Sequence, residues 1–263
     1  MGREAVTESQ RNRIHQAMVE VVSERGYPDT RVVDVIGVAG VSRKTFYELF
    51  DSKEDCFLAA YDVLLGNLLS DTASGFESRP GAPWAERVAA GLGALLEHLA
   101  EHPDEARFSI VEVLAAGPKA LARRDAALRQ FTVFLDAGRA ETSVELRGIT
   151  SLSLAGGINE LLYSEILHGA AARLPSRLPD LIFWVTLPFL GADGAARERE
   201  RTRLSLLGGW RKVHRGALFA NRRGFFLYGG WYFGSWRDFP KLSIGPTQWA
   251  GRKRRCIATC ANV

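Results

Sequence analysis

Ser42, Arg43, Lys44 and Thr45 stand side by side, with Tyr47 and Lys53 shortly after. Hydroxyls, a guanidinium, ammonium groups and a phenol are the donors that meet phosphate oxygens and base edges, so the chemistry on offer is recognition rather than bond-making. Other candidate groups are weaker. His98 and His102 lie four apart and could seat a metal on a helix, but no third ligand is placed, and a histidine near a helix end also complements the dipole. Cys256 and Cys260 beside the run Arg252–Arg255 lack a second ligand pair. Gly91-Leu-Gly93 falls inside a helical pattern without a third glycine, and no G-x-S-x-G, P-loop or H-E-x-x-H occurs. No catalysis, metal or cofactor is expected.

The elements that must carry the donor cluster are short helices. Ile14, Ala17, Met18, Val21 and Val22 recur at helical spacing and predict an amphipathic helix from Thr7 to Arg25, with Thr7 and Gln10 as a capping box and Gly26 as its stop. A second helix with Thr30 as N-cap buries Val32, Val35 and Ile36. After the break Ala39-Gly40-Val41, Ser42 caps a third helix, Arg43–Phe50, that buries Phe46, Leu49 and Phe50. Asp51 or Ser52 caps a fourth, from Lys53 to about Ser70. The second and third helices around Gly40 form a helix-turn-helix, whose sharp turn suits a positive φ. Such a recognition helix reads bases with its N-terminal residues, the end where the cluster lies.

The stretch from Gly26 to Asp55, above all Ala39-Gly-Val-Ser, Thr45-Phe-Tyr, Phe50 and Ser52-Lys-Glu, resembles the N-terminal domain of TetR-family transcriptional regulators. The resemblance implies phosphate contacts from Thr30, Thr45, Tyr47 and Lys53, and groove contacts from Arg43 and Lys44 beside the cap Ser42. Glu48 is either an acceptor for a cytosine amino group or a solvated charge.

Further helices follow: Trp84–Glu101, Ala106–Ala116, Lys119–Gly138 with Leu121, Leu128, Phe131, Phe134 and Leu135 inward, Thr150–Ala172 and Pro179–Leu190. The last pair carries Leu161, Leu162, Ile166, Leu181, Trp184 and Leu187, more apolar circumference than one core requires, and Gly156 and Gly157 permit close approach. It predicts half of a four-helix homodimer interface, the alternative being plain intramolecular core. Two recognition helices must reach grooves about 34–36 Å apart, or a multiple, so pairing matters. The family resemblance further implies a ligand cavity walled by Phe57, Tyr61, Leu95, Leu99, Phe108, Val111, Phe131 and Phe134, suited to an apolar effector.

The charge of +4 is uneven. Met1–Asp193 carries 19 basic against 27 acidic residues, a balance of −8, while Gly194–Val263 carries 15 against 3. The basic pI therefore belongs to the tail and is no evidence that the body binds nucleic acid. That tail is read as a basic aromatic appendage for DNA or an anionic surface, or as a stretch of altered reading frame or poor order, the second being favoured. Met1–Gln10 lacks an apolar signal segment, no run reaches the ~18 residues of a membrane span, and three cysteines suit a reducing compartment; the expectation is cytoplasmic.

The expected fold is all-α, with a DNA-binding domain at 7–52, a ligand-binding and dimerisation domain at 53–200 and the tail at 201–263. The expected function is a homodimeric repressor of a double-stranded DNA operator, released by a small-molecule effector. The rival is a helical ligand-binding or interaction module that no longer engages DNA, which the body's negative charge keeps open.

Overall fold

In the computed structural model the described residues are 3–219, 226–228 and 231–233, with side-chain surroundings from 4 to 207. The chain divides into two units, Met1–Ser205 and Leu206–Val263.

Helix α1 (Arg3–Arg25) starts before Thr7, so Thr7 and Gln10 lie inside it and form no capping box. Its stripe is as the spacing predicts: Ile14, Ala17, Met18, Val21 and Val22 are all buried. Helix α2 (Val32–Ala39) is capped by Arg31, not Thr30; the Asp34 carboxylate accepts the Arg31 backbone N–H at 3.0 Å and its guanidinium at 3.1 Å. Asp34 holds its proton only well below the usual carboxylate range, chiefly because of that Arg31 hydrogen bond. Gly40 takes φ +62°, the left-handed conformation that lets the chain reverse into α3 (Arg43–Leu49). Ser52 caps α4 (Lys53–Glu77), which outruns the expected stop near Ser70. It crosses α5 (Trp84–Glu101) closely: a Cβ on Gly91 would lie 2.9 Å from the Thr72 carbonyl oxygen.

Beyond α5 the predicted helix over Ala106–Ala116 is irregular. A short α6 (Pro103–Ala106) widens into a π-turn over Arg107–Val111 and tightens into a 3₁₀ turn over Glu112–Ala115. Next come α7 (Pro118–Asp136), a 3₁₀ turn Ala137–Glu141, α8 (Ile149–Leu167), a 3₁₀ turn Ala171–Arg177 and α9 (Leu178–Phe219). Leu121 is exposed rather than inward. The expected stop at Leu190 is a kink: Pro188 lacks an N–H, Gly191 turns left-handed at φ +69°, and the helix then resumes.

One apolar cluster joins Ile14, Met18, Val35, Phe46, Phe57, Phe108 and Val113, so the boundary drawn at 52/53 crosses continuous core. The second unit contains the end of α9 and an antiparallel ribbon, β1 (Phe226–Tyr228) and β2 (Trp231–Phe233), with Phe226 opposite Phe233. The tail, read as lacking a helical period, thus begins as helix. Arg252–Arg255, Cys256 and Cys260 lie outside the described residues.

Candidate nucleic-acid interface

Helix α3 is held from beneath and bare on top. Phe46 is fully buried against Phe50 and Tyr47, with ring centroids 5.6 and 5.3 Å away. The Ser42 hydroxyl accepts the Thr45 backbone N–H at 3.0 Å and shares a hydrogen bond of 2.9 Å with the Thr45 hydroxyl. Arg43 lies exposed over the Tyr47 ring, 5.7 Å from its centroid, and Tyr47 is itself exposed. Lys44 is exposed, with Glu48 one turn away at 3.7 Å, a pair that water screens to little net strength. Stacking leaves the Arg43 guanidinium edge open, the shape that pairs with two acceptors on a base or a phosphate.

Thr30 and Lys53, expected to contact phosphate, are also engaged within the fold. Thr30 is buried, and its hydroxyl donates to the Gly26 carbonyl at 2.8 Å, so no free hydroxyl faces solvent. The Lys53 ammonium donates to the carbonyls of Tyr27 and Thr30 at 2.8 and 2.9 Å and sits 4.1 Å over the Tyr27 ring. Desolvation lowers its pKa. Lys53 therefore ties α4 to the α1–α2 turn. That turn is gripped from the other side by Glu112, a buried residue of the body, which accepts the Tyr27 N–H at 3.0 Å and pairs with Arg107 at 3.0 Å.

The expected cavity wall divides. Tyr61, Leu95, Leu99, Phe131 and Phe134 line an interior cavity of about 90 Å³ between α4, α5, α7 and α8. Phe57 and Phe108 do not; their rings meet each other at 4.4 Å in the cluster beneath the helix-turn-helix, with Tyr27 edge-on to Phe57 at 5.0 Å. Val111 is absent from the wall too, because the π-turn presents Ser109 and Ile110 instead. The expected dimer face divides likewise. Leu162, Ile166 and Leu181 are buried within the unit, and Leu162 reaches the cavity. Leu161 and Leu187 are half-buried and Trp184 is 39% exposed, alongside exposed Ile149, Leu152 and Leu167. Adjacent positions such as Leu161 and Leu162 point about 100° apart on a helix, so they cannot share a face.

His98 is held between Asp71 and Glu105 at 2.7 and 3.1 Å through its two ring nitrogens. Among the described residues no cluster of three metal-ligating side chains forms, and no helix is long and apolar enough to cross a membrane. Spacing did not single out Arg13, exposed beside the Gly40 turn, or Glu112, Arg124 and Asn159. Glu112 carries no local signal, since its partner is 85 residues away.

The sequence model of the "Bacterial regulatory proteins, tetR family" matches residues 14–60, the helices just described. An HTH-type transcriptional regulator of Bacillus subtilis (strain 168), YerO, is 26% identical over 94 residues, 36% of this chain; the match spans about a third of that protein's length (32%). Among solved structures, FadR of Bacillus subtilis, in complex with stearoyl-CoA, superposes with a TM-score of 0.59 at 20% identity, covering 68% of this chain and 97% of that one. FadR of Bacillus halodurans gives a TM-score of 0.59 at 18% identity, covering 66% and 96%. The fold is thus shared across the helical body, and residues 14–60 are similar to the sequence model of the tetR family of bacterial regulatory proteins.

Proposed function

We propose that the chain is a homodimeric transcriptional repressor that places two copies of α3 in successive major grooves of an operator and leaves it when a small, largely apolar molecule fills the interior cavity. The observation that carries the reading is the bare face of α3, where Arg43, Lys44 and Tyr47 are exposed on a helix whose other side is locked into the core by Phe46. The exposed Trp184 of α9, lying over Gly157 of α8 beside Leu161 and Leu181, supports pairing. The π-turn supports coupling, because Ser109 and Ile110 touch the cavity while Glu112, just after them, grips the α1–α2 turn at Tyr27. A ligand that displaces this segment favours a state with altered recognition-helix placement, and its differential affinity sets the shift, typically ~1–3 kcal/mol. The FadR of Bacillus subtilis was solved with stearoyl-CoA; the cavity here holds far less.

The test is a mobility shift with the DNA upstream of the chain's own coding sequence at two salt concentrations. Binding weakens steeply with salt. Arg43→Ala costs about 1–3 kcal/mol on the operator and lowers the ratio of operator to random-DNA affinity. An unchanged ratio refutes base reading by Arg43. No shift at either salt leaves the chain a helical ligand-binding module.

A further inference from the structure

The cavity wall is apolar for most of its extent, but Tyr61, Arg124 and Asn159 bring polar atoms to it that no other wall residue engages. Asn159 is 8% exposed and makes no hydrogen bond among the described residues. The Tyr61 hydroxyl likewise has none, and burial pushes its pKa up, so it stays a neutral O–H donor. The Nε of Arg124 is buried without an acceptor. Arg124 also gives one Nη1 contact of 3.2 Å to Asp125, which is exposed. A buried guanidinium N–H such as the Arg124 Nε is normally satisfied.

Tyr61 and Arg124 adjoin at one end of the cavity, where the neighbouring Arg123 of α7 pairs with Asp62 of α4 and the exposed Asp125 lies beside the guanidinium. At the other end Phe76 of α4 meets Phe134 of α7 with centroids 5.4 Å apart. One end is therefore polar and cationic, the other aromatic. Size narrows the class further. Seating one water-sized group takes about 10–15 Å³, so about 90 Å³ admits on the order of six to nine non-hydrogen atoms.

We infer that the effector is a small carboxylate with a compact apolar body, of benzoate or hexanoate size, its acid group received by Arg124 and Tyr61 and oriented by Asn159. The inference rests on the cavity being the effector site, and it names the chemistry of that site. A carboxylate supplies both an acceptor and a counter-charge to the guanidinium; an alcohol supplies only the acceptor, and an amine is repelled.

The experiment is calorimetric titration of the full chain with benzoate and hexanoate against benzyl alcohol, hexanol and hexylamine. The acids should bind at least tenfold more tightly than the alcohols, and the amine should not bind. Arg124→Met, its fold checked by circular dichroism, should bring acid and alcohol within threefold of each other, and Asn159→Leu should weaken the acid alone. Equal affinity for acid and alcohol in the unaltered protein, which needs no variant, overturns the inference. So does binding of palmitate in preference to hexanoate, or binding of none of the probes. The mobility shift separates the readings: if no acid binds yet DNA is still shifted, only the ligand class falls. If the acids bind as stated without releasing DNA, the class stands and the release mechanism falls.

Discussion

Replacing Glu112 with Ala removes a side chain through which the irregular segment of the body holds the α1–α2 turn by hydrogen bonding. Its carboxylate is 7% exposed and accepts the Tyr27 N–H at 3.0 Å across 85 residues of sequence. A hydrogen bond to a charged group contributes about 1.5–3 kcal/mol. The second partner, Arg107, is 38% exposed, so water takes over much of that contact and it adds little. The net expectation for Glu112→Ala is a loss of about 2 kcal/mol. For a body of this size that is about 4–8 °C in Tm, at about 2–4 °C per kcal/mol. Glu112→Gln keeps an amide oxygen for Tyr27 and should lose about half as much. Urea denaturation measures the energy, and hydrogen exchange at Tyr27 locates it: the amide should exchange faster in Glu112→Ala while the interior of α5 is unchanged. A Glu112→Ala protein within ~0.5 kcal/mol of the parent, with Tyr27 protected as before, would show that Glu112 does not clasp the turn.

Three other perturbations separate the roles assigned above. Gly157→Ala puts a methyl group where the tip of the Trp184 ring lies, so the exposed ring must swing away; if the chain pairs through this face as proposed, size-exclusion chromatography with light scattering should show weakened pairing relative to the parent, and unchanged pairing would remove this face from the interface. Gly40→Ala forces a left-handed alanine at φ +62° and should cost about 1 kcal/mol, read as a lower urea midpoint; a neutral result would mean the turn has relaxed. His15 has its pKa lowered by burial, then by Arg11, so the unfolded chain binds its proton more readily than the native one. Its contribution is complete above the unfolded value near 6.5 and declines as pH falls from there toward the native value. The stability difference between the parent and His15→Phe should therefore change between pH 7 and 5, and parallel curves would exclude His15 as the source.

What sequence shows and hides can be followed through single residues. Ile14 to Val22, the Gly40 turn and the Ser42 cap rest on interactions within a few positions, and periodicity and propensity report those directly. Phe57 and Phe131 have the same helical spacing and the same apolar chemistry, yet one meets Phe108 and the other borders empty space. Periodicity says that a side chain turns inward, not whether another side chain waits there. Thr30 and Lys53 match the family pattern in type, but their partners are backbone carbonyls brought in by the fold, the Lys53 pair lying 26 and 23 residues away. Leu162 is buried toward the cavity, while Leu181, buried itself, borders a surface groove with Leu161 and Trp184, because the apolar surplus of α8 and α9 is shared between a cavity, a core and a surface. Only the packing apportions it.

Helix α4 has a mechanical consequence. It is 25 residues long, an unbroken rod of about 37 Å at about 1.5 Å per residue. One end abuts α3 at Ser52, and the other passes Phe76 at the aromatic end of the cavity. Pivoting such a rod by about 5° about its far end swings the near end by about 3 Å. In a two-fold pair the displacements add or cancel as a unit, so a separation can change by about 6 Å, half the ~12 Å width of a major groove. If the chain pairs on DNA as proposed, a slight tilt, with no unfolding and no rearranged contacts inside the reading head, is enough to put both copies out of step with the double helix.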